Sequence, residues 1–126
     1  MGTVSQRSAV VPYITRDGSE IRELMHPAVH GNVTQSLAEA TVAPGSQTVL
    51  HRHHRTEELY HVTAGEGVMV LGGEHFAIHP GDTVLIPPGT PHRVRNTGAD
   101  PLVFLCACSP AYRHDDTELL DTIFEE

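Results

Sequence analysis

The chain has little positive charge and no long apolar run, and each shortage excludes a class of partner. Eight Lys and Arg residues stand against 16 Asp and Glu residues, which gives a formal net charge of −8. Nucleic-acid binding needs a basic stripe that faces the phosphates, so nucleic acid is not an expected partner. No stretch approaches the roughly 20 apolar residues of a membrane-spanning helix, so we expect no membrane partner either.

Cysteine is also scarce, with only Cys106 and Cys108 in the chain. The two lie at positions i and i+2, too close for an unstrained disulfide within one strand, and we interpret them as small buried hydrophobic residues. The N-terminus does not show the charged segment followed by an apolar segment that is typical of a secretion signal. We therefore expect a reduced, cytoplasmic protein.

What the sequence does contain is a series of short strand-like segments separated by turn residues. Eleven Gly and nine Pro divide 126 residues, a length suited to one domain with one core. The predicted strands are residues 10–15, 36–42, 47–53, 57–63, 68–71, 74–79, 83–86, 92–96 and 102–108. Turn signals between them, such as Gly72-Gly73, indicate antiparallel hairpins. The pattern predicts an all-β fold of the sandwich or barrel type.

The two ends of the chain differ from this pattern. The predicted division is an N-terminal arm at residues 1–34, a β-barrel at residues 35–108 and an acidic C-terminal tail at residues 109–126. The arm combines the edge strand with a short helix, Ser19–His26, which Pro27 ends. In the tail, Asp115 or Asp116 would cap a second helix whose apolar side packs on the barrel or on another subunit.

Three of the predicted strands carry side chains that bind metals. His51 and His53 are two residues apart, so they point to the same face of a strand. Glu58 lies on the next predicted strand, and His92 begins a later one. Neutral imidazoles together with a carboxylate are the donors that a borderline divalent ion prefers. The residues therefore predict a metal site, provided that the fold brings His92 to the other three.

At this point the sequence resembles a known family, the cupins. The first cupin motif is matched in full by the residues Gly45, His51, His53, Glu58 and Gly65 at their observed spacings. Agreement at several spaced positions is more specific than a short glycine motif. Glu57 also has a permitted spacing from His53, but only Glu58 has the motif spacing to Gly65 and the same strand parity as Tyr60.

The second cupin motif follows after a short spacer. It is matched by Gly81, Pro87, Gly89, His92 and Asn96, with fifteen residues between Gly65 and Gly81. The resemblance covers about residues 35–108. It implies a cupin-type antiparallel β-barrel, also called a double-stranded β-helix or jelly roll, and a homodimer. It also implies one divalent metal ion per chain, Fe(II), Mn(II), Ni(II) or Zn(II), held by the four residues His51, His53, Glu58 and His92.

Strand parity predicts which of the other polar side chains point inward and which point outward. Tyr60 and Gln47 share the inward face with the proposed ligands, and Tyr112 is a candidate for the rim of the pocket. The histidines predicted to be solvated are His54, His61, His75 and His79. Arg93 and Arg95 are predicted to face outward, so no inward cation is evident for a phosphate.

The resulting hypothesis is a metal-dependent cupin enzyme that acts on a small organic molecule. A dioxygenase is slightly favoured, because four ligands leave two positions of an octahedral ion for substrate and dioxygen. The first alternative is a lyase, isomerase or cyclase that uses the ion as a Lewis acid, with Tyr60 as acid or base. Tyr60 could equally pack and support Glu58. The second alternative is a non-catalytic module that binds a small ligand through the metal.

Overall fold

Residues 2–120 are described by a computed structural model, in which eleven strands form two antiparallel sheets. The strands are β1 (Tyr13–Ile14), β2 (Glu20–Met25), β3 (Ser36–Val42), β4 (His51–His53), β5 (Glu57–Ala64), β6 (Gly67–Leu71), β7 (Glu74–Ile78), β8 (Thr83–Ile86), β9 (His92–Asn96), β10 (Leu102–Ser109) and β11 (Thr117–Leu119). One short helix, α1 (Pro27–His30), and 3₁₀ turns at Arg7–Ala9 and His114–Asp116 complete the described elements. Within the same residues, no helix is long and apolar enough to cross a membrane.

The two sheets enclose the core between them. One sheet has the strand order β1-β2-β3-β10-β5-β8 and the other β11-β4-β9-β6-β7. Burial alternates along β3, β5 and β10, so every second side chain of these strands points inward. The fully buried side chains include Val62, Met69, Ile78, Val94, Leu102 and Phe104. This is the all-β double-stranded β-helix that the sequence predicts.

Most predicted strands are present at or near their predicted bounds. The segments at 36–42, 83–86 and 92–96 are the strands β3, β8 and β9 without any change. In these segments apolar alternation and flanking Gly or Pro residues agree, so local sequence and final pairing point to the same boundaries. The division of the chain at residues 34 and 108 stays a prediction.

The predicted helix at Ser19–His26 is wrong, because this segment forms the strand β2. Apolar residues at Ile21, Leu24 and Met25 suit one face of a helix, but the segment pairs with β3 instead. The pairing register shifts between Glu23 and Met25, so alternation is interrupted and the strand pattern is hidden in the sequence. The helix α1 begins only after it, with the His26 side chain accepting a hydrogen bond from the Ala28 amide.

The predicted C-terminal helix is contradicted for the part of the tail that is described. Thr117–Leu119 forms β11, which pairs antiparallel with β4 and so completes the edge of the smaller sheet. Pairing with an open sheet edge outweighs helix propensity in so short a segment. Residues 121–126 of the predicted helix lie outside the described residues.

Candidate metal centre

The three histidines of the two motifs meet inside the barrel. His51 and His92 are directly opposite each other on β4 and β9, with ring centroids 4.2 Å apart. His53 lies on the same face of β4, and its ring centroid is 5.5 Å from that of His92. One ring nitrogen from each of the three lies within 4.8 Å of the others, and all three side chains are buried. The fold therefore satisfies the condition that the sequence left open for His92.

Hydrogen bonds fix which nitrogen of each ring faces the centre. The Nδ1 atom of His51 is 2.7 Å from the carbonyl oxygen of Val49, and that of His92 is 2.9 Å from the carbonyl oxygen of Thr90. A carbonyl oxygen only accepts, so both Nδ1 atoms must carry the proton. The Nε2 atoms of the two rings are then left with free lone pairs in the neutral imidazole.

His53 reaches the same tautomer through a side chain. Its Nδ1 atom is 2.9 Å from Oγ1 of Thr117, and that hydroxyl donates its own proton to the carbonyl oxygen of Arg113 at 2.9 Å. The hydroxyl therefore accepts from Nδ1–H of His53. All three histidines thus turn an unprotonated Nε2 toward one point, as metal-binding histidines do.

Glu58 lies against two of the three rings. Its Oε1 atom is 3.2 Å from Nε2 of His53 and 3.6 Å from Nε2 of His92. Its Oε2 atom accepts a hydrogen bond from the Cys108 thiol at 3.4 Å. Burial alone would raise the pKa of Glu58, but the adjacent His53 and His92 outweigh burial and hold that pKa far below its usual range. Glu58 is therefore a carboxylate.

The neighbouring Glu57 is exposed at the surface, whereas Glu58 is buried at the centre. The structure thus brings together His51, His53, Glu58 and His92, the four residues singled out in the sequence. Their role as ligands stays a prediction.

The donor atoms fit a divalent transition metal ion. Glu58 Oε1 and His92 Nε2 are both buried and have no hydrogen-bond partner. Unpaired buried acceptors that face each other are costly, and a cation between them removes that cost. Burial and the charge of His92 lower the pKa of His51 to about 4, so this ring is neutral at physiological pH and free to coordinate. Three imidazoles and one carboxylate suit divalent first-row transition metal ions.

A small cavity opens from this centre toward the strands β2, β3 and β10. Its volume is about 40 Å³, measured as the space open to the centres of water molecules, which favours a small ligand. Tyr60 lines the cavity and packs at ring distances of 4.5 Å from Phe104 and 5.8 Å from His92. Tyr112 also lines it, 5.7 Å from the His53 ring, as expected.

The predicted inward position of Gln47 is wrong. The strand β4 begins only at His51, and Gln47 lies in an exposed segment with a single bridge to Arg95. Strand parity cannot be extended back to Gln47, because Thr48 is the buried residue there, and its hydroxyl oxygen accepts a hydrogen bond from the Val94 amide at 3.0 Å. The two cysteines, by contrast, are buried and unpaired on β10, as expected.

Two acidic residues of the cavity were missed by the sequence interpretation. Asp17, which lies between the predicted strand at 10–15 and the segment predicted as a helix, places Oδ2 3.5 Å from Nε2 of His51. Glu23, which was assigned to a helix, lines the cavity from β2 and buries an Oε1 atom without a hydrogen-bond partner. Glu23 lies two residues after Ile21, so the two side chains share one face if the segment is a strand. This spacing was the only sequence signal that Glu23 points inward.

The other singled-out side chains behave largely as predicted. His54, His75 and His79 are exposed, and His61 is half-buried on the outer side of β5, where it bonds to Thr83. Arg95 is exposed, but Arg93 is only 8% exposed. Both arginines line a groove on the outer side of the smaller sheet. Arg93 thus points outward as expected, although it is covered.

The chain is similar to known proteins along most of its length. The family model described as the cupin domain matches residues 38–108. An uncharacterized protein of Methanocaldococcus jannaschii is 52% identical over 112 residues, covering 89% of this chain and 90% of that one. The oxalate-binding protein of Thermotoga maritima is 33% identical over 86 residues, 68% of this chain and 71% of that one.

A solved structure supports the same assignment. The crystal structure of a predicted oxalate decarboxylase from Thermotoga maritima superposes with a TM-score of 0.75 at 27% identity, covering 85% of this chain and 98% of that one. The fold and the buried three-histidine centre define a small β-barrel protein with a group of side chains that could hold a metal ion. With the domain match, the chain belongs to the cupin family.

Proposed function

We propose that this cupin is a metal-dependent enzyme that transforms a small organic molecule by proton transfer, as a lyase, isomerase or cyclase. The observation that carries the proposal is the position of Glu23, a carboxyl group in the same cavity as the histidine centre. An ion bound by the three histidines and Glu58 would supply a Lewis acid for a substrate carbonyl. A separate acid–base group is the second requirement of such chemistry.

Glu23 has the environment of a group that exchanges protons. Burial raises its pKa above the ordinary value, which brings that pKa closer to neutrality. The Tyr13 hydroxyl is a hydrogen-bond neighbour of this carboxyl, and burial raises the pKa of Tyr13 to about 12. Tyr13 therefore stays protonated and can donate this hydrogen bond to the Glu23 carboxyl group. The pKa of Glu23 is raised and that of Glu58 is lowered, so Glu23 suits proton transfer while Glu58 remains a carboxylate.

Tyr60 has a narrower role than the sequence suggested. Burial raises its pKa well above the ordinary value, with the charge of Glu58 as a further cause. A phenol that remains protonated can donate a hydrogen bond or a proton, but it is a poor general base. Its packing against Phe104 and His92 also supports the wall of the site. We therefore propose Tyr60 as a donor toward a substrate oxygen.

The substrate class follows from the charges in the cavity. Among the described residues that line it, none is Arg or Lys, whereas Asp17, Glu23 and Glu58 are acidic. An anionic group would therefore find no cation other than the metal, and a phosphate is disfavoured. A neutral hydroxy or keto compound suits the site better.

A dioxygenase is the second candidate. The observation that favours it is an apolar wall formed by Ile21, Ala40 and Phe104 beside a centre of neutral imidazoles. Such a surface would accept dioxygen next to an enol or diol. A non-catalytic binding module is the third possibility, and the similarity to a protein named for oxalate binding keeps that alternative open.

Loading the metal-free protein separately with Mn(II), Fe(II), Ni(II) and Zn(II) would separate the three candidates. We expect small keto and hydroxy compounds in D₂O to exchange a C–H proton, detected by NMR, with redox-inert Zn(II) as well. Oxygen uptake confined to Fe(II), without exchange, would favour the dioxygenase and contradict proton transfer. Binding shifts without exchange or uptake would favour the binding module.

The variant Glu23→Gln tests the acid–base group. We expect it to keep its metal and to lose at least about 100-fold in exchange rate, the ordinary contribution of a general acid or base. Glu20→Gln, an exposed glutamate on the same strand, is the matched control. Exchange at the wild-type rate in Glu23→Gln would contradict the assignment.

A further inference from the structure

We propose that Asp17 is a second carboxylate ligand of the metal centre, bound on the side of His51. This inference rests on the metal site of the proposed function and adds to it a residue outside both sequence motifs. Asp17 lies in the loop between β1 and β2, on a different part of the chain from the other four residues. It lines the same cavity as His51, His53 and Glu58.

The position of the Asp17 carboxylate matches that of Glu58. Its Oδ2 atom is 3.5 Å from Nε2 of His51, while Glu58 Oε1 is 3.2 Å from Nε2 of His53. The side chains of Asp17 and His51 are only 13% and 3% exposed. Since Nδ1 of His51 donates to a carbonyl, its Nε2 presents a lone pair to the carboxylate oxygen. Two acceptors that face each other in a buried site are costly, and a cation between them removes that cost.

The distance favours a shared ion over a direct ion pair. A charge-assisted N–H···O⁻ hydrogen bond has a length of about 2.7–2.9 Å, well below the 3.5 Å observed here. Two ligand atoms that each lie about 2.1 Å from one ion can be up to about 4.2 Å apart. The separation between Asp17 and His51 is within that range, as are those between Glu58 and its two histidines.

The loop holds Asp17 so that only one oxygen is available. The Oδ1 atom accepts hydrogen bonds from the backbone amide of Ser19 at 3.0 Å and from its hydroxyl at 2.7 Å. Ser19 is itself buried, so this support is fixed within the protein. The Oδ2 atom remains directed at His51. Such hydrogen bonding of one carboxylate oxygen is how metal-binding carboxylates are oriented.

The same loop is tied to the segment that orients His51. The carbonyl oxygen of Asp17 accepts a hydrogen bond from the Val49 amide at 2.8 Å. The carbonyl oxygen of Val49 in turn accepts from Nδ1 of His51. Asp17 and His51 are therefore positioned relative to each other through one intervening residue, as two ligands of one ion need to be.

A second carboxylate changes the chemistry of the centre. Two carboxylates balance the charge of a divalent ion, whereas Glu58 alone leaves one positive charge. They also leave fewer coordination positions for external ligands. Both effects favour a neutral substrate that binds through one oxygen, in agreement with a cavity without Arg or Lys among its described lining residues.

The test compares Co(II) binding to the wild type, Asp17→Ala and Asp17→Asn by chelator competition and by visible absorption. We expect both variants to bind Co(II) at least tenfold more weakly and to show a changed absorption spectrum, because a ligand is lost or replaced. Asp17→Asn keeps the shape of the side chain and its acceptor for Ser19, so it tests the charge if Asp17→Ala fails to fold. Asp100→Ala removes an exposed carboxylate and is the control.

Each outcome is decisive. A wild-type spectrum in both Asp17 variants overturns the assignment, whatever their affinity. Weaker binding together with a changed spectrum supports it. If the wild type itself binds no ion, the proposed metal function fails as well. If the wild type binds Co(II) and both Asp17 variants bind it with the same affinity and the same spectrum, the proposed function stands and only this inference is wrong.

Discussion

His53 donates a 2.9 Å hydrogen bond from Nδ1 to Oγ1 of Thr117, 64 residues further along the chain. The two residues are cross-strand neighbours on β4 and β11. The bond selects the ring tautomer that turns Nε2 toward the metal centre, and it connects the C-terminal segment to that centre. The short strand β11 therefore orients a proposed ligand in addition to completing the sheet.

Replacing Thr117 by valine should weaken metal binding without removing any ligand. Valine has the shape of threonine but cannot accept the proton of His53 Nδ1, so the ring loses its orientation. We expect affinity to fall about 10- to 100-fold, as for other residues that support metal-binding histidines. Chelator competition measures it. Thr117→Ser keeps the hydroxyl and should stay near the wild type; equal losses in both variants would assign the effect to packing instead.

Metal binding should stabilise the folded protein and should depend on His92. An ion that binds only the native state at 100 times its Kd raises the free energy of unfolding by about 2.7 kcal/mol. Thermal or urea unfolding with and without Mn(II) measures this gain. His92→Ala should lose it, because a fully buried ring of the centre is gone. The exposed His75→Ala is the control, and an equal gain in both variants would contradict the site.

The pH dependence of stability should report the protonation of the half-buried Glu23. Burial raises its pKa above the ordinary value of 4.5, so the folded state holds this proton more tightly than the unfolded chain does. Stability must then fall as pH rises from about 4.5 through the raised pKa of the folded state. Urea unfolding of metal-free wild type and Glu23→Gln over this window measures the difference. Glu23→Gln should lack this part of the decline.

The exposed Glu20→Gln should follow the wild-type pH curve, since it leaves Glu23 in place. Parallel curves for wild type and Glu23→Gln would show that the Glu23 pKa is the same in both states. That result would also weaken the proposed acid–base role.

Most of the barrel could be predicted from the sequence, because its strands are defined locally. Where alternation and turn residues agree, as in Thr83–Ile86, the boundaries are correct. The segment Glu20–Met25 was mispredicted because its apolar spacing also fits a helix, and only pairing with Ser36–Val42 decides between the two. A long-range pairing of this kind leaves no local signal.

Part of the candidate site could also be predicted, because some of its residues lie on strands that the local sequence defines. His51 and His53 share a face by strand parity alone, and the second motif added His92. Asp17 and Thr117 could not be found in this way. Each reaches the centre only because a segment near a chain end pairs with the barrel. Asp17 precedes a segment that was predicted as a helix, and Thr117 lies in the predicted C-terminal helix.

The homodimer expected from the sequence remains a prediction, and the outer face of the larger sheet offers a surface on which to test it. Leu37 pairs with Ala107, Ala107 with Leu59, and Leu59 with Leu85, so the four form one row across β3, β10, β5 and β8. The three leucines are 37%, 41% and 52% exposed. An apolar row of this kind is a common feature of interfaces.

We expect Leu59→Glu to shift the protein from dimer to monomer in light scattering at micromolar concentration. Val33→Glu places the same charge at another exposed apolar residue and should leave the dimer intact. A wild-type protein that is monomeric at all concentrations would make the dimer prediction wrong. A dimer that survives Leu59→Glu would assign the interface to another surface.

Gly65, which ends the first motif, should not tolerate even alanine. Its φ is +81°, and an added Cβ would overlap the carbonyl oxygen of Pro101 and lie 2.8 Å from Cα of Leu102. A left-handed backbone costs an L-residue about 1–2 kcal/mol, and overpacking against the backbone costs about 1–3 kcal/mol more. We therefore expect Gly65→Ala to lower the free energy of unfolding by roughly 2–5 kcal/mol in urea titrations. Gly73→Ala is the control, since a Cβ there has no neighbour within 4 Å; similar losses in both variants would contradict this explanation of the motif glycine.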